Sequence, residues 1–356
     1  CNFNSIEYQP NIADSYLKAL EKEIDSIKGQ YVFKSVYIGG GTPTVLNEKQ
    51  FKYLLNIIDI GVGSEELKEY TIEANPGAIN QGKIKILKDS RVNRISLGVQ
   101  TFDNCLLKTL GRIHTNNHTL QTFSMLREND FNNINLDLIF GIPSQTVKQW
   151  ENDLQIAISK NPEHISTYSL TYENGTRFKD LLSMGAIEKI RESDELEMYK
   201  SAINLLTNSG FEHYEISNFA KKGKKSLHNM VYWKNQGYAG IGAGAFSFIN
   251  GKRKSNEANV DKYIENVNTH KENVTFSECL TPKEHAAETV IMGLRMRSGI
   301  SDSRFLRQTG FRFADLFNSQ LSWLKETGFI NLKDNRLTLT VKGLYVADSV
   351  MAEFLN

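Results

Sequence analysis

Through residue 175 the sequence switches repeatedly between two hydrophobic periods, and this alternation limits the fold more than any other feature. Short runs rich in β-branched residues lie at Ser35–Ile38, Tyr70–Glu73, Arg94–Val99, Asn135–Phe140 and His164–Leu170. Between them, apolar residues recur at helical spacing. One stripe is Leu17, Leu20, Ile24 and Ile27, and another is Phe51, Leu54, Leu55 and Ile58 behind an Asn47 N-cap. Two more are Leu120, Phe123 and Leu126, then Trp150, Leu154 and Ile158. Strands separated by helices require crossover connections and therefore pair in parallel. The strand runs read as apolar on both faces, as in a sheet covered by helices. An open doubly wound sheet and a barrel both satisfy that pattern.

The unusual residues separate the two. Gly39-Gly40-Gly41-Thr42-Pro43-Thr44 follows the first run, Glu73-Ala74-Asn75-Pro76 closes the second, and Gln100-Thr101-Phe102 ends the third. Asp137 lies in the fourth run, which ends Phe140-Gly141-Ile142-Pro143, and Glu173-Asn174-Gly175-Thr176 follows the fifth. Sites in parallel α/β folds lie at the carboxyl ends of strands. Five strand ends face one centre only if the sheet curves, which predicts a full or partial barrel.

Beyond residue 190 the alternation fades. A helix is expected over Ser193–Thr207 and an extended segment over Phe211–Phe219, followed by the basic loop Lys221–Lys225. His228 and Tyr232 are four apart and share one face if that segment is helical. The run Gly240–Ala245 permits close backbone approach. From about residue 280 the pattern is mainly helical. A hairpin over Gly328–Thr340, turning at Asp334-Asn335, and a helix over Gly343–Leu355 then give a small winged-helix-like end. The expected division is an α/β barrel domain over 1–250 and a mainly helical domain over 251–356.

Composition narrows the function classes. The 356 residues suit about two domains, and 19 Phe, 14 Tyr and 3 Trp supply ample core. Basic and acidic residues balance at 42 against 41. The whole molecule therefore has no drive toward nucleic acid or anionic membrane. From Ser303 onward the net charge is only +2, too little for a nucleic-acid-binding wing. No apolar run approaches the roughly 20 residues of a membrane span. Cys1, Cys105 and Cys279 are few and scattered, which points to a reducing, cytoplasmic setting rather than a disulfide scaffold. By count they show no CxxC metal site, although a chain that starts at Cys1 without Met is expected to have lost residues upstream.

The glycine run lacks the Gly-Lys-Ser/Thr of a phosphate loop and the spacing of a dinucleotide fingerprint. It serves equally as a tight strand–helix turn. Singly, Glu73, Gln100 and Asp137 read as caps or ion-pair partners, Arg112 as a surface cation and His228 as a structural imidazole. Together, two carboxylates, an amide and a guanidinium around one strand-end centre suit a zwitterionic ligand that carries a ribose.

The order of these motifs resembles the oxygen-independent coproporphyrinogen III oxidase-like branch of the radical S-adenosylmethionine (SAM) superfamily, and its haem chaperones most closely. The pieces are Gly39–Thr44, Glu73–Pro76, Ser96–Gln100, Leu110–His114, Asp137–Pro143, Tyr214–Phe219, His228–Trp233 and Gly240–Ser247, in order over nearly the whole chain. The resemblance implies a partial (β/α)6 barrel whose first strand and first two cluster cysteines lie upstream. Cys1 looks like the third cysteine of a CxxxCxxC motif that holds a [4Fe–4S] cluster, so the chain as given would not retain the cluster. Gly40, Gly41, Thr42, Glu73, Gln100, Arg112 and Asp137 match SAM-contacting positions. Two activities follow from the resemblance. The oxidases decarboxylate coproporphyrinogen III and carry a further cysteine where Phe3 stands here. The chaperones carry Phe and a His-Asn-x-x-Tyr element, matched by His228, Asn229 and Tyr232. That favours a protein that binds haem at His228 and Tyr232 and passes it to an acceptor protein, with an electron donor for the cluster.

Overall fold

The computed structural model describes residues 6–63 and 66–355; Cys1 and Phe3 lie outside them. Five parallel strands, β1 (Ser35–Ile38), β2 (Glu69–Ala74), β3 (Arg94–Gln100), β4 (Ile134–Phe140) and β5 (His164–Ser169), pair in chain order. An antiparallel hairpin, β6 (Glu212–Glu215) and β7 (Asn218–Ala220), extends the sheet to the order β1-β2-β3-β4-β5-β7-β6. Each expected strand is present to within about one residue of the sequence reading.

The helices form where the apolar stripes place them. The Asn47 side chain accepts from the Gln50 N–H in a capping box that starts helix 48–62, and Phe51, Leu54 and Leu55 are buried on its inner face. Thr146 and Gln149 make the same device at helix 147–159, which buries Trp150 and Leu154 completely.

The expectation of strands apolar on both faces is corrected. Val36, Ile38, Tyr70, Ile72, Ile95, Leu97, Ile134, Leu136, Leu138 and Ile165 pack into the core beneath the helices. The alternate residues Ser35, Tyr37, Glu69, Thr71, Glu73, Arg94, Ser96, Asn135, Asp137, His164, Ser166 and Tyr168 form the opposite, polar face. A helix-covered sheet needs only one apolar face when the other lines a site.

That polar face is concave. Five strand spacings separate β2 from β6, roughly 24 Å in a flat sheet. Yet Ser226 reaches both: its hydroxyl donates to Glu69 on β2 at 3.2 Å, and its N–H donates to the Tyr214 hydroxyl on β6 at 3.4 Å. The sheet is therefore curled into a half-barrel, with helix Leu227–Trp233 lying across its mouth.

After it come β8 (Phe246–Ile249), β9 (Lys252–Asn256) and β10 (Val274–Cys279), an antiparallel sheet with helix 260–268 between β9 and β10. The 250/251 division falls at the tip of the β8–β9 hairpin. A second apolar core runs from Ala286 to Phe354. It is built from helices 282–295, 302–309 and 313–326 and a small sheet of β11 (Ile300–Ser301), β12 (Ile330–Lys333) and β13 (Arg336–Leu339). The wing turns at Asp334 and Asn335, both left-handed at φ +52° and +54°. The helix expected over 343–355 breaks at Val346 into segments 341–344 and 347–352.

The glycine run after Tyr238 approaches the first helix, Pro10–Ile27. The Gly242 N–H, the Tyr263 hydroxyl and the Asn256 amide all donate to the half-buried Glu23 carboxylate, at 2.8, 2.5 and 2.6 Å. A Cβ on Gly242 would stand 2.5 Å from the Tyr16 hydroxyl, and the position is left-handed at φ +101°. Glu23→Ala should cost about 1–3 kcal/mol, because three donors lose one acceptor in a half-buried seam. Glu23→Gln should recover a large part of that loss. Denaturant unfolding of the two variants tests the ordering, and equal stability of Glu23→Ala and wild type would refute it.

Candidate functional site

The strand-end cluster begins at β1. Tyr37 donates to the Glu73 carboxylate at 2.7 Å, and the Gly40 backbone donates to the same group. A Cβ on Gly39 would lie 2.7 Å from both the Glu73 carboxyl carbon and the Tyr37 ring, so glycine is required for this approach. Gly40 takes φ +91°, and no other atom lies within 4 Å of a notional Cβ at Gly40 or Gly41. Their backbone therefore faces open space beside the carboxylate. Burial, reinforced by the Asp137 charge, pushes Glu73 up to about 7, with the Tyr37 and Gly40 hydrogen bonds opposing the rise.

The next strand ends lock onto this one. Asn75 donates to the Thr42 hydroxyl at 3.0 Å, and its backbone N–H donates to Thr44 at 3.3 Å. The buried Lys83 ammonium donates to the Thr44 and Ala78 carbonyls at 2.6 and 2.9 Å, which pins the loop from beneath. In β3 the register shifts between Leu97 and Gln100, and Gln100 is left-handed at φ +67°. A Thr101 N–H to Val99 carbonyl bond of 2.9 Å closes a three-residue γ-turn around it. This strained backbone brings the Gln100 amide and the Asn75 carbonyl together above Gly98, whose notional Cβ would meet them at 3.0 and 3.2 Å. Asp153 holds the exit of β3 by accepting from Thr101 and the Phe102 N–H at 2.6 and 2.8 Å; burial lifts it to about 6.

Asp137 lies further into the half-barrel. It accepts from Ser96 at 2.7 Å and Asn135 at 2.8 Å, with Ser166 also bonded to it. Burial raises its pKa against those bonds and the nearby Arg94 charge. The network continues at full burial: Asn135 meets the His164 ring at 2.6 Å, and His164 meets the Tyr214 hydroxyl at 2.8 Å. Burial drives His164 well below the usual imidazole range, so it is neutral.

The structure thus brings Gly40, Thr42, Glu73, Gln100 and Asp137 to one end of the half-barrel, with Gly41 beside them. Arg112 is not tied to them by any contact. It sits half-buried in the loop after helix 104–109, where burial lowers its pKa with no carboxylate to offset the cost. Sequence reading passed over Tyr37, Glu69 and Tyr168. The alternation Ser35/Tyr37 and Glu69/Thr71/Glu73 was the available signal, masked by reading these runs as apolar throughout.

His228 and Tyr232 meet on helix 227–233. The His228 ring stacks on Tyr37 with centroids 5.0 Å apart, and its nitrogens face the Ser35 and Tyr232 hydroxyls, each at 3.2 Å. Burial draws His228 down to about 4.

The residues present fit SAM: two carboxylates held above their usual pKa by burial, an open glycine backbone, and a half-buried guanidinium without an acidic partner among the described residues. The half-barrel and the helical C-terminal domain define the chain as a radical SAM protein of the HemN-like branch. The Radical SAM superfamily model matches residues 1–157, and the HemN C-terminal domain matches residues 280–346. The coproporphyrinogen III oxidase HemN of Escherichia coli superposes with a TM-score of 0.85 at 23% identity, covering 99% of this chain and 86% of that one. The haem chaperone HemW of Bacillus subtilis is 40% identical over 100% of this chain and 95% of its own length. That of Lactococcus lactis is 35% identical over 100% and 93%. The chain belongs to the HemW family.

Glu73 yields a signed pH prediction. Its native pKa of about 7 lies above the unfolded value of about 4.3. The native state therefore keeps a proton that the unfolded chain releases, and stability falls as pH rises from about 4.3 through 7. Glu73→Gln keeps an acceptor for Tyr37 and cannot ionise. It should be more stable than wild type by ~1–2 kcal/mol at pH 8 and equal to it near pH 4.5. A stability difference that does not change with pH in unfolding titrations would contradict the assignment.

Proposed function

We propose that this protein is a haem chaperone that binds haem through His228 and Tyr232, holds SAM at the strand-end cluster, and passes haem to an acceptor protein. Cys1 is assigned as one thiolate of a [4Fe–4S] cluster that an electron donor reduces. The supporting observation is His228, a neutral imidazole at the rim of a polar half-barrel, in a family of curated haem chaperones. Its two hydroxyl contacts are long for O–H···N bonds and yield readily to a metal. The Tyr37 ring fixes the plane of the imidazole from one side.

At the other end, Glu73 and Asp137 accept from the ligand's ammonium and ribose hydroxyls, Gly40 and Gly41 present backbone to its amino-acid portion, and Arg112 takes its carboxylate. Thr42 and Gln100 supply orienting hydrogen bonds. Bound SAM with a reduced cluster supplies one-electron cleavage of a sulfonium. A cation arriving beside Glu73 favours its ionised form and releases its proton near neutral pH. The likeness to HemN is one of fold and carries no oxidase assignment.

Haem titration followed in the Soret region tests the assignment of His228. His228→Ala should weaken binding at least tenfold and change the spectrum, the expected loss for an axial ligand. Because burial keeps the ring neutral down to about pH 4, wild-type affinity should stay flat between pH 8 and 5.5. An exposed imidazole would begin to lose metal near pH 6.5. Unchanged affinity and spectrum in His228→Ala would remove His228 from the haem site.

A further inference from the structure

The seam between the half-barrel and the C-terminal core gathers shielded donors that no group among the described residues satisfies. Trp233 Nε1, Arg295 Nε, Arg297 Nη1 and Arg304 Nη2 are each shielded from solvent without a hydrogen-bond partner. They belong to one neighbourhood. The Arg295 guanidinium lies 4.4 Å from the centre of the Trp233 ring. The Ile216 N–H donates to the Arg295 carbonyl, and the Arg297 N–H donates to the Tyr214 carbonyl, both at 3.0 Å. Arg304 donates to Gln308 at 2.8 Å, and the Gln308 amide donates to the Lys234 carbonyl at 2.9 Å, at the end of helix 227–233. Arg336 donates to the Ser298 carbonyl at 2.9 Å and adds its charge to the burial that lowers Arg304.

Four of the unsatisfied atoms here are donors on an indole and three guanidinium groups, and one, Asn218 Oδ1 beside Glu215, is an acceptor. Arg127, Arg191, Arg253 and Arg312 make ion pairs, and among the described residues Arg295, Arg297 and Arg304 make none. Glu215 is near enough to feel Arg295, but Asn218 and the Ser217 N–H already engage its two oxygens. Guanidinium nitrogens shielded from water without a hydrogen-bond acceptor are costly, and their planar forks match carboxylates. The seam is therefore built for an acceptor-rich anion.

A second basic site, a cavity of about 550 Å³ lined by Lys68, Lys88, Lys224 and Lys225, is a weaker candidate. Lys88 and Lys225 already pair with Asp130 and Glu212, and Lys224 donates to the Asn132 carbonyl.

We propose that the Trp233–Arg295–Arg297–Arg304 seam receives the propionate carboxylates of a porphyrin whose iron is held at His228. This deepens the haem reading above and rests on it. One helix carries both ends of the site. His228 is in its first turn and Trp233 in its last, about 7.5 Å apart along the axis at 1.5 Å per residue. Five residues also turn Trp233 about 140° around the helix from His228, so the carboxylates, carried on flexible arms at the porphyrin rim, have to reach round the end of the helix from the central metal.

Titration with haem and with haem dimethyl ester, which keeps iron and ring but has no free carboxylate, separates the two ideas. Wild type should bind the ester at least about tenfold more weakly than haem. Arg295→Gln and Arg304→Gln should erase most of that difference by weakening haem alone, and Arg295→Lys should fall between, because it keeps charge without the fork. Thermal melting of the variants guards against misfolding, and the wild-type comparison needs no variant. Equal wild-type affinity for haem and ester, with haem binding unchanged in the arginine variants, overturns the seam assignment and leaves His228 standing. If wild type binds neither porphyrin, the haem reading fails and the proposed occupant fails with it.

Discussion

The half-barrel depends on one buried carboxylate. Glu69, 4% exposed, accepts from the Ser226 hydroxyl at 3.2 Å and from the N–H groups of Leu227 and His228 at 2.9 Å each. Those are the orphan donors at the start of helix 227–233, and the partial positive charge of the helix end meets the carboxylate there. The bond crosses roughly 160 residues of sequence. It joins the second strand of the sheet to the segment that follows the last, and so keeps the sheet curled. It also sets the start of the helix that carries the His228 ring over Tyr37.

A curled sheet with helices outside has an inner face that must be filled or wet. Here it is polar, and its groups are mostly satisfied by one another: Ser96 and Asn135 on Asp137, Asn135 and Tyr214 on His164. Such a network fixes side chains as firmly as packing does, because each unpaired member would cost its full desolvation. Towards the carboxyl ends of the strands the satisfaction thins. There the Gly40–Gly41 backbone faces open space beside Glu73, and burial holds Glu73 and, deeper in, Asp137 above the usual carboxylate range. The hydrogen-bonded network and the proposed ligand position thus occupy the two ends of one surface.

The sequence made the order of strands and helices legible because both signals are local. Asn47 with Gln50, Thr146 with Gln149, and the Asp334-Asn335 turn are read within four residues. The glycine run and Glu73 were legible as a site for the same reason. Glu69 was not, since its partners lie some 157 positions away. Tyr37 looked like one more aromatic in an apolar run until the register showed which face it occupies. The arginine seam was invisible for a related cause. Arg295, Arg297 and Arg304 sit in a segment of ordinary charge, and nothing local in it marks the one nitrogen of each that the folded chain shields from water.

One line of contacts joins the two proposed ligand positions. From Tyr232 it passes to the His228 ring, across the stacked face of Tyr37, along the Tyr37 hydroxyl to Glu73, and on to the Gly40 backbone. The Tyr37 hydroxyl keeps its proton throughout, because burial and the Glu73 and Asp137 charges hold its pKa well above the ordinary range. It is therefore always a donor, and what it donates to is the group whose ionisation is balanced near pH 7. A carboxylate accepts such a bond more strongly than a carboxylic acid does. The stack on His228 is consequently anchored most firmly when Glu73 is ionised, the state that a bound cation favours.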